Sequence, residues 1–338
     1  MHFLLTGGTG FIGQRLARRI IERGDTLTVL VRGSSRRGPL EALGARFAVG
    51  DLTTGEGLAE AVRGVDCVLH LAGVTKARKP ASYFEGNANG TRRVVEAMAA
   101  LPHPPRLVYC SSLAAAGPST PERPRREEDA PAPVSIYGRS KLGGEVAVRE
   151  FADRVPCVIL RPPIVYGPGD TEFIPSMLPM AKKGLAIKSG FGPKRYSLIH
   201  VDDLCTALLA AAERGPTLTK DDPARGTYTV SDGREYTWED VCGALAGALG
   251  RGQPTVVPVP DVIGYLIGLG SEIMARLKGT VPILNRDKVR EMTCPAWTCT
   301  TERASRELGF APSIPLAQGM AGTLASYQVE SRALVSGH

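Results

Sequence analysis

A tyrosine and a lysine, Tyr137 and Lys141, have the types and the spacing that acid–base chemistry requires. In a helix, residues four apart share one face, so the ammonium group would lie close to the phenol. A phenol with a pKa of ~10 is a poor acid at neutral pH, and a nearby positive charge brings that pKa down. Such a pair also arises by chance on ordinary helices. Ser112 adds weight to the functional interpretation because it follows an apolar run, Leu107–Cys110, that predicts a strand.

A glycine-rich turn, TGGTGFIG at Thr6–Gly13, lies between the first apolar run and an amphipathic stretch that predicts a helix. Gly7, Gly10 and Gly13 would allow a tight turn and a close approach of the backbone to a pyrophosphate. The first amides of the following helix would point at the phosphates. The pattern therefore predicts a dinucleotide site, and a tight turn without a ligand is the alternative.

The second predicted strand, Leu27–Val31, is followed by Arg32 and not by a carboxylate. Arg32 comes nineteen residues after Gly13, where an NAD site would carry an acidic residue for the adenosine ribose. A carboxylate would repel a 2′-phosphate, whereas a guanidinium binds it through charge-assisted hydrogen bonds. We therefore expect NADP(H) to be favoured. NAD(H) stays possible if Arg32 is only an exposed loop residue.

Further residues are expected along the path of the cofactor, because ligands of such sheets bind at the ends of the strands. They follow the third and fourth predicted strands or begin the first helix: Phe11, Ile12, Asp51, Leu52, Leu71, Ala72 and Gly73.

The elements that must position these residues alternate between strand and helix. This order predicts an α/β fold with a doubly wound parallel sheet of the Rossmann type. The strand candidates are His2–Leu5, Leu27–Val31, Phe47–Val49, Cys67–Leu71, Leu107–Cys110 and Cys157–Leu160, and the helix candidates between them include Phe11–Arg23, Gly90–Ala100 and Tyr137–Phe151.

The composition changes after Arg161, where prolines crowd together and argue against long regular elements. We expect a dinucleotide-binding domain at 1–165 with a returning segment at about 196–230. Residues 166–195 and 231–330 would then form a smaller mixed substrate domain of short helices and loops.

Composition excludes several classes of protein. The 338 residues are 43% hydrophobic and 22% charged, as in an ordinary globular protein. The net charge of +7 is mild and aromatic residues make up only 6%, so no nucleic-acid partner is expected. Cys294 and Cys299 are the only close cysteine pair, which is a poor metal signature, and a reducing cytoplasm fits the cysteines best. The apolar stretch Val262–Ser271 is too short to span a bilayer, and a peripheral membrane contact is the minority interpretation.

Together these motifs resemble those of the extended short-chain dehydrogenase/reductase family, which includes NAD-dependent epimerases and dehydratases. The resemblance covers nearly the whole chain. Its motifs are TGGTGFIG at Thr6–Gly13, GDL at Gly50–Leu52, HLAG at His70–Gly73, NANGT at Asn87–Thr91, YCSSLAAAG at Tyr109–Gly117, YGRSK at Tyr137–Lys141, RPPIVYGPGD at Arg161–Asp170 and IHVDDL at Ile199–Leu204.

The resemblance implies a catalytic triad of Ser112, Tyr137 and Lys141. Tyr137 would be the acid or base, and Lys141 would tune it and hold the nicotinamide ribose, so that both also belong to the cofactor site. Asn87, Pro163 and Ile164 would lie along the cofactor. The family also implies a possible homodimer.

Departures from the family pattern narrow the activity. Dehydratases of this family carry Thr-Asp-Glu beside the active-site strand, whereas Ser112-Leu113-Ala114 has no carboxylate. Ala114–Ala116 is apolar where sugar epimerases carry hydroxyl side chains, and an apolar wall suits a lipophilic substrate. The run looks more like the 3β-hydroxysteroid dehydrogenase and dihydroflavonol reductase branches. The resemblance thus implies hydride transfer between a nicotinamide and a ketone or secondary alcohol of a lipophilic small molecule.

Two alternatives remain open. A nucleotide-sugar epimerase with retained NAD is supported by Lys194, Arg195 and Tyr196, because a basic residue near this position binds diphosphate in sugar-nucleotide enzymes. A non-catalytic NADP(H) sensor is the other, although the triad is complete. Arg123–Arg126 is expected to form a solvated loop, and possibly a flap over the site.

Overall fold

The structure is a computed structural model that describes residues 1–35, 37–282 and 284–336, with side chains up to residue 327. Its strands follow the apolar runs of the sequence. In chain order they are β1 His2–Thr6, β2 Thr26–Val31, β3 Arg46–Val49, β4 Cys67–His70, β5 Arg106–Cys110, β6 Cys157–Arg161, β7 Ile164–Tyr166, β8 Leu185–Ser189, β9 Arg195–Tyr196, β10 Leu198–His200, β11 Thr227–Thr229, β12 Tyr236–Thr237, β13 Thr255–Val259 and β14 Ala296–Trp297.

The helices alternate with the strands through the first half and then become more frequent. They are α1 Phe11–Glu22, α2 Gly38–Glu41, α3 Leu58–Ala61, α4 Pro80–Phe84, a π-helical turn at Glu85–Asn89, α5 Gly90–Ala99, α6 Leu113–Ala116, α7 Ile136–Glu150, α8 Phe173–Ala181, α9 Val201–Glu213, α10 Trp238–Ala248, α11 Asp261–Lys278, α12 Arg286–Thr293, α13 Glu302–Leu308 and α14 Leu316–Ser336.

Seven parallel strands form the main sheet in the order β11-β6-β5-β4-β1-β2-β3. The strand order reverses between β1 and β4, which is where ligands bind in such sheets. Apart from the edge strand β3, which is partly exposed, the strands are largely buried, which explains their mainly apolar sequence. Leu16 of α1 and Leu208 of α9 pack on one face, and Met98 of α5 and Val148 of α7 pack on the other. The prediction of a doubly wound parallel sheet is confirmed.

The second half adds smaller sheets to the carboxyl edge of the main one. A mixed sheet has the order β12-β9-β14, with β12 and β9 antiparallel, and β8 pairs in parallel with β13. Ile174 of α8, Leu245 of α10 and Met320 of α14 share a separate core with Tyr166. This is the smaller mixed part that the sequence led us to expect.

The expectation that this part contains only short helices is wrong. The helix α8 forms in the proline-rich stretch, because Pro175 lies in its first turn, where the amide has no partner within the helix. Pro179 then lies two residues before the helix ends. The helices α11 and α14 have 18 and 21 residues. Within the described residues, no helix is both long and apolar enough to cross a membrane.

The segment around Arg123–Arg126 is a loop with Arg123 and Arg126 exposed, as expected, but hydrogen bonds also join it to the rest of the fold. The amide of Arg125 donates to the Thr298 carbonyl (2.9 Å), and its guanidinium donates to the Ala116 carbonyl (2.7 Å). Glu127 is buried and accepts from the amide and the hydroxyl of Thr229, both at 2.9 Å. These bonds join the segment to β11 and to the strand region around β14. These hydrogen bonds hold the segment in place and argue against a mobile flap over the cavity.

Candidate active site

A cavity of about 1350 Å³ opens at the carboxyl edge of the main sheet, beside the reversal of strand order. Most residues selected from the sequence lie on its walls, although the chain distance between them is large. These are Gly7, Gly10, Phe11, Ile12, Gly13, Arg32, Asp51, Leu52, Leu71, Ala72, Gly73, Ser112, Tyr137, Pro163 and Ile164.

The glycine turn between β1 and α1 is packed so tightly that side chains are excluded at two positions. Gly7 has φ of +73°, and a Cβ there would lie 2.7 Å from the Ala72 amide nitrogen. A Cβ on Gly13 would lie 2.2 Å from the Gly7 carbonyl oxygen. This packing lets the first amides of α1, which have no partners within the helix, open onto the cavity. The turn has the shape and polarity that a dinucleotide's phosphates require.

Arg32 lies at the end of β2 with its side chain exposed on the cavity wall. Nearby Asp51 lies at the same edge, and its Oδ1 accepts from the Thr53 amide and hydroxyl, both at 2.7 Å. These bonds hold the pKa of Asp51 below its ordinary value, and the Arg32 guanidinium contributes to the lowering. Arg32 is thus available to an anionic group, while the carboxylate of Asp51 is already bound within its own turn.

Asn87 lies behind the cavity wall and not on it. The π-helical turn brings its fully buried amide against Val74, which it binds through Oδ1 to the amide (2.6 Å) and through Nδ2 to the carbonyl (3.0 Å). Nδ2 also donates to the Ser140 hydroxyl at 2.9 Å. The Asn87 Oδ1 would lie 3.0 Å from a Cβ on Gly73, which lines the cavity. Asn87 thus fixes the wall that follows β4, and its contact with a cofactor, which the motif implied, stays a prediction.

Ser112 and Tyr137 come together on one side of the cavity. Ser112 is extended at the end of β5 and caps α6, where its Oγ accepts from the Ala114 amide at 3.2 Å. Tyr137 is the second residue of α7, a helix that begins where Ser135 accepts from the Gly138 amide at 2.9 Å. The Ser112 hydroxyl lies close enough to the phenol of Tyr137 to favour the ionised form.

The pKa of Tyr137 nevertheless lies above its ordinary value in this structure. Burial raises it most, while the Lys141 ammonium and the Ser112 hydroxyl act in the opposite direction. Lys141 thus acts on the pKa of the phenol in the direction expected from the sequence, although burial outweighs it, and the tuning of Tyr137 toward neutral pH stays a prediction. A protonated Tyr137 at neutral pH is suited to donate a proton.

Lys141 is almost fully buried one turn further along α7. Its Nζ donates to the Cys110 carbonyl (2.8 Å) and lies 4.5 Å from the centre of the Tyr109 ring. A Cβ on Gly73 would come within 3.7 Å of this Nζ. Lys141 is not itself among the residues that line the cavity, but its Nζ lies close to Gly73, which is.

Sequence reasoning missed a buried ion pair that holds α7 against the sheet. Arg161, at the end of β6, donates to both carboxylate oxygens of Glu145 at 2.9 and 2.6 Å. Ser111 donates to Glu145 Oε1 at 2.6 Å, and both charged side chains are buried. Glu145 lies four residues after Lys141, so it shares a helix face with Tyr137 and Lys141. This spacing was the signal in the sequence that could have identified Glu145. Through Ser111 and Arg161, Glu145 holds α7 against the ends of β5 and β6.

Sequence reasoning also missed Asp287. Its two carboxylate oxygens accept from the Ile136 amide at 2.9 and 2.7 Å, so α12 covers the first turn of α7. Burial raises the pKa of Asp287 above its ordinary value. No local pattern links positions 136 and 287, because the contact depends on how the second half folds over the cavity.

Two polar residues singled out from the sequence lie outside the cavity walls. His70 is buried between the hydroxyls of Thr6 (2.7 Å) and Thr91 (3.0 Å), and burial lowers its pKa to about 3, so it is a neutral core residue. Lys194 is buried and donates to the carbonyls of residues 292–294 at 2.7–3.1 Å. It is therefore not free to bind a diphosphate. Among the described residues, no group of His, Cys, Asp and Glu could hold a metal ion.

The far part of the cavity is mainly apolar. Its walls come from the segment after Ser112 and from the second half of the chain, and they include Leu113, Ala114, Val165, Met177, Met180, Leu185, Tyr196, Trp238, Ile267, Met292 and Trp297.

A Rossmann sheet with Ser112, Tyr137 and Lys141 at its strand reversal defines an NAD(P)-dependent enzyme of the extended short-chain dehydrogenase/reductase type. The model of the NAD dependent epimerase/dehydratase family matches residues 3–222, and the chain belongs to this family. The resemblance noted in the sequence is thereby confirmed.

Relatives are similar over most of the chain. A ceramide reductase of Caulobacter vibrioides is 30% identical over 296 residues, covering 87% of this chain and 84% of the relative. A 2-alkyl-3-oxoalkanoate reductase of Stenotrophomonas maltophilia is 29% identical over 336 residues, covering 95% and 97%. Among solved structures, the protein titled gox2253 has a TM-score of 0.79 at 28% identity and covers 98% of both chains.

Proposed function

We propose that this protein is an NADPH-dependent reductase of ketones on lipophilic small molecules. The observation that carries the proposal is the cavity itself. Its cofactor end is lined by the glycine turn, Ser112 and Tyr137, while most of the surface of its far walls is apolar, although Glu172, Lys188 and Lys288 also line the cavity. The two relatives described above are named as reductases, and one of those names specifies an oxo group next to an alkyl substituent.

The residues present fit a nicotinamide nucleotide, which when bound would supply the hydride for the carbonyl carbon. Gly7, Gly10 and Gly13 would hold its phosphates against the start of α1. The wall from Leu71 to Gly73 would support its ribose close to Lys141.

The chain's own residues would act on the carbonyl oxygen. Ser112 would donate a hydrogen bond to this oxygen and orient it, and Tyr137 would give it a proton as negative charge develops there. The raised pKa of Tyr137 keeps the proton in place until that charge appears. Lys141 would bind the ribose and attract electron density in the phenol, which eases the departure of the proton.

Arg32 supports NADPH over NADH. Its guanidinium is exposed on the cavity wall at the end of β2 and is suited to a 2′-phosphate. Asp51 lies nearby, but its carboxylate is bound to Thr53. The division into two domains near residue 165 and a homodimer stay proposals alongside this one.

The experiment is turnover with NADPH and, separately, NADH, on 3-oxo acids and simple ketones of increasing alkyl length. We expect consumption of NADPH that improves with chain length. Tyr137→Phe should lower kcat by about two orders of magnitude or more, since a positioned acid contributes roughly that much. The matched control is Tyr265→Phe, which removes a phenol hydroxyl on α11 outside the cavity walls. Near-normal turnover by Tyr137→Phe would overturn the assignment.

The alternatives separate in the same preparation. Release of about one equivalent of NAD on denaturation would favour an epimerase with a retained cofactor, although Lys194 is occupied by backbone carbonyls. Binding of NADPH without turnover of any ketone, alcohol or sugar nucleotide would favour a sensor.

A further inference from the structure

The helix α11 carries an apolar face that nothing in the described chain covers. Leu266 and Leu277 are 62% and 78% exposed, and Phe191 beside the start of the helix is 73% exposed. Singly exposed apolar residues are ordinary, but a continuous stripe of them marks an interaction surface. The outer apolar face, as we call this surface, consists of Val262, Ile263, Leu266, Ile267, Leu269, Ile273, Met274 and Leu277, with Ile187, Phe191, Val257 and Val281 at its edges.

The inner side of α11 packs on α12 and borders the cavity at Gly264, so the outer face is not a poorly docked core. A Cβ on Gly264 or Gly268 would come within 3.4 Å or less of Val289 in α12. Ala275 is buried on the same side. The helix thus rests closely on α12, and its opposite side points away from the protein along its whole length of about 27 Å.

The charges of α11 are sorted between its two sides. Asp261 accepts from the Ser189 hydroxyl (2.7 Å), and Glu272 pairs with Arg286 (3.0 Å), so both carboxylates are bound to the body of the protein. Arg276 and Lys278 are exposed at the last turn. The surface therefore presents apolar side chains and positive charge with the negative charge turned away.

The outer apolar face is continuous with the cavity. Ile267 is 54% exposed and also lines the cavity, together with Gly264, Val281 and Pro282. The apolar walls that begin near Ser112 thus extend to the surface at α11.

We propose that the outer apolar face rests on an anionic lipid bilayer and that lipophilic substrate enters the cavity from that bilayer. The proposed binding to a bilayer depends only on the outer apolar face. The proposed entry of substrate from the bilayer rests on the proposed function. Helices with an apolar face and basic flanks lie in the plane of a membrane surface. The exposed cations complement anionic headgroups.

The first experiment measures binding of the full chain to vesicles, without cofactor or ketone. The vesicles are pure phosphatidylcholine, or phosphatidylcholine with ~30% phosphatidylglycerol to supply anionic headgroups. We expect binding to the anionic vesicles that falls at high salt. The affinity of the triple variant Val262→Gln/Leu266→Gln/Leu277→Gln for these vesicles should fall by about tenfold or more. These three residues are exposed and lie outside the cavity walls, so the fold and the turnover of a short, water-soluble ketone should be unchanged.

Matched controls test whether the location matters. Val146→Gln changes an exposed valine on α7, and Arg18→Glu/Arg46→Glu reverses two exposed charges away from α11. Both should bind vesicles like the wild type, whereas Arg276→Glu/Lys278→Glu should lose the preference for anionic vesicles. Equal losses in the controls, or no binding by the wild type, would overturn the proposal. So would a wild-type dimer that the triple variant breaks, because a second copy would then cover the face.

The second experiment measures reduction of a long-chain ketone embedded in the same vesicles. We expect the triple variant to lose turnover of this substrate about as much as it loses binding, while a soluble ketone is reduced normally. Normal turnover of the embedded ketone by the variant would overturn entry from the bilayer. If the protein binds vesicles but shows no reductase activity, the outer apolar face is still a membrane-binding surface, and the proposed function is refuted.

Discussion

The two carboxylate oxygens of Asp287 share one bifurcated hydrogen bond from the backbone N–H of Ile136, the residue before Tyr137. The second half of the chain thereby holds the first turn of the helix that carries the proposed acid. Free amides at a helix start attract negative charge, and a cap at this point orients the turn. The position of Tyr137 consequently depends on the packing of α12 as well as on the sheet.

We expect Asp287→Ala to lower kcat about tenfold while the KM for NADPH changes little, because the change disturbs the proton donor and not the phosphate site. The loss in stability should be about 1 kcal/mol, as for other helix caps. Asp240→Ala is the matched control, since Asp240 completes the capping box of α10 outside the cavity walls. Steady-state kinetics and urea unfolding of both variants provide the test. Equal effects of the two on kcat would show that Asp287 acts only through stability.

The Lys141 ammonium should govern the pH dependence of the reverse reaction, in which Tyr137 accepts a proton from an alcohol. Lys141 lowers the pKa of Tyr137 against the larger effect of burial. Removing the charge in Lys141→Met leaves burial unopposed, so the pKa of Tyr137 rises. The rising limb of kcat against pH for alcohol oxidation should therefore move to higher pH. Lys220→Met, at an exposed surface pair, should leave the profile in place. A profile that stays fixed or moves to lower pH in Lys141→Met would contradict the assignment.

Arg32→Ser should weaken the binding of NADPH more than the binding of NADH. A hydrogen bond to a charged group contributes about 1.5–3 kcal/mol, which corresponds to a roughly 10- to 150-fold higher KM for NADPH. The KM for NADH should change only slightly, because that cofactor has no 2′-phosphate. Arg46→Ser removes an exposed arginine from the neighbouring strand β3 as the control. Equal losses for both cofactors in Arg32→Ser would remove the basis for the NADPH preference.

The buried pair of Glu145 and Arg161 should be essential to stability. Glu145→Gln leaves Arg161 buried without its counter-charge, and breaking such a pair costs about 3–5 kcal/mol. The exposed pair of Glu60 and Arg63 provides the control, because Glu60→Gln should cost less than about 1 kcal/mol. Urea unfolding measures both. The double change Glu145→Gln/Arg161→Met should recover part of the loss, and no recovery would mean that Glu145 acts through Ser111 alone.

The main sheet, and the placement of the glycine turn, Ser112 and Tyr137 as neighbours at one cavity, could be predicted because their signals are local. The strands are short apolar runs, the glycine turn needs small residues at fixed spacing, and Tyr137 and Lys141 lie on one turn of one helix. The sequence also identified Ser112 correctly as a neighbour of Tyr137. The catalytic and cofactor-binding roles of these residues stay predictions.

What could not be predicted depends on contacts between distant parts of the chain. Asp287 reaches Ile136 across 151 positions, and Lys194 is occupied by carbonyls about a hundred positions away. The sequence shows that Lys194 is basic but not where its ammonium group is held. The raised pKa of Tyr137 likewise reflects how deeply the folded chain buries the phenol, a quantity that residue spacing does not contain.

The π-helical turn at Glu85–Asn89 has one further consequence. A wide turn accommodates one more residue than an ordinary helical turn, and here that extra residue places the Asn87 amide opposite Val74. Deleting Ala88 would let the helix return to its ordinary winding and rotate the preceding side chains by about 100°. The amide would then lose its backbone partners, although no residue that touches the cavity had been replaced. The number of residues in this turn is thus as strictly constrained as the identity of its asparagine. We expect the turn to tolerate a substitution of Ala88 better than its deletion.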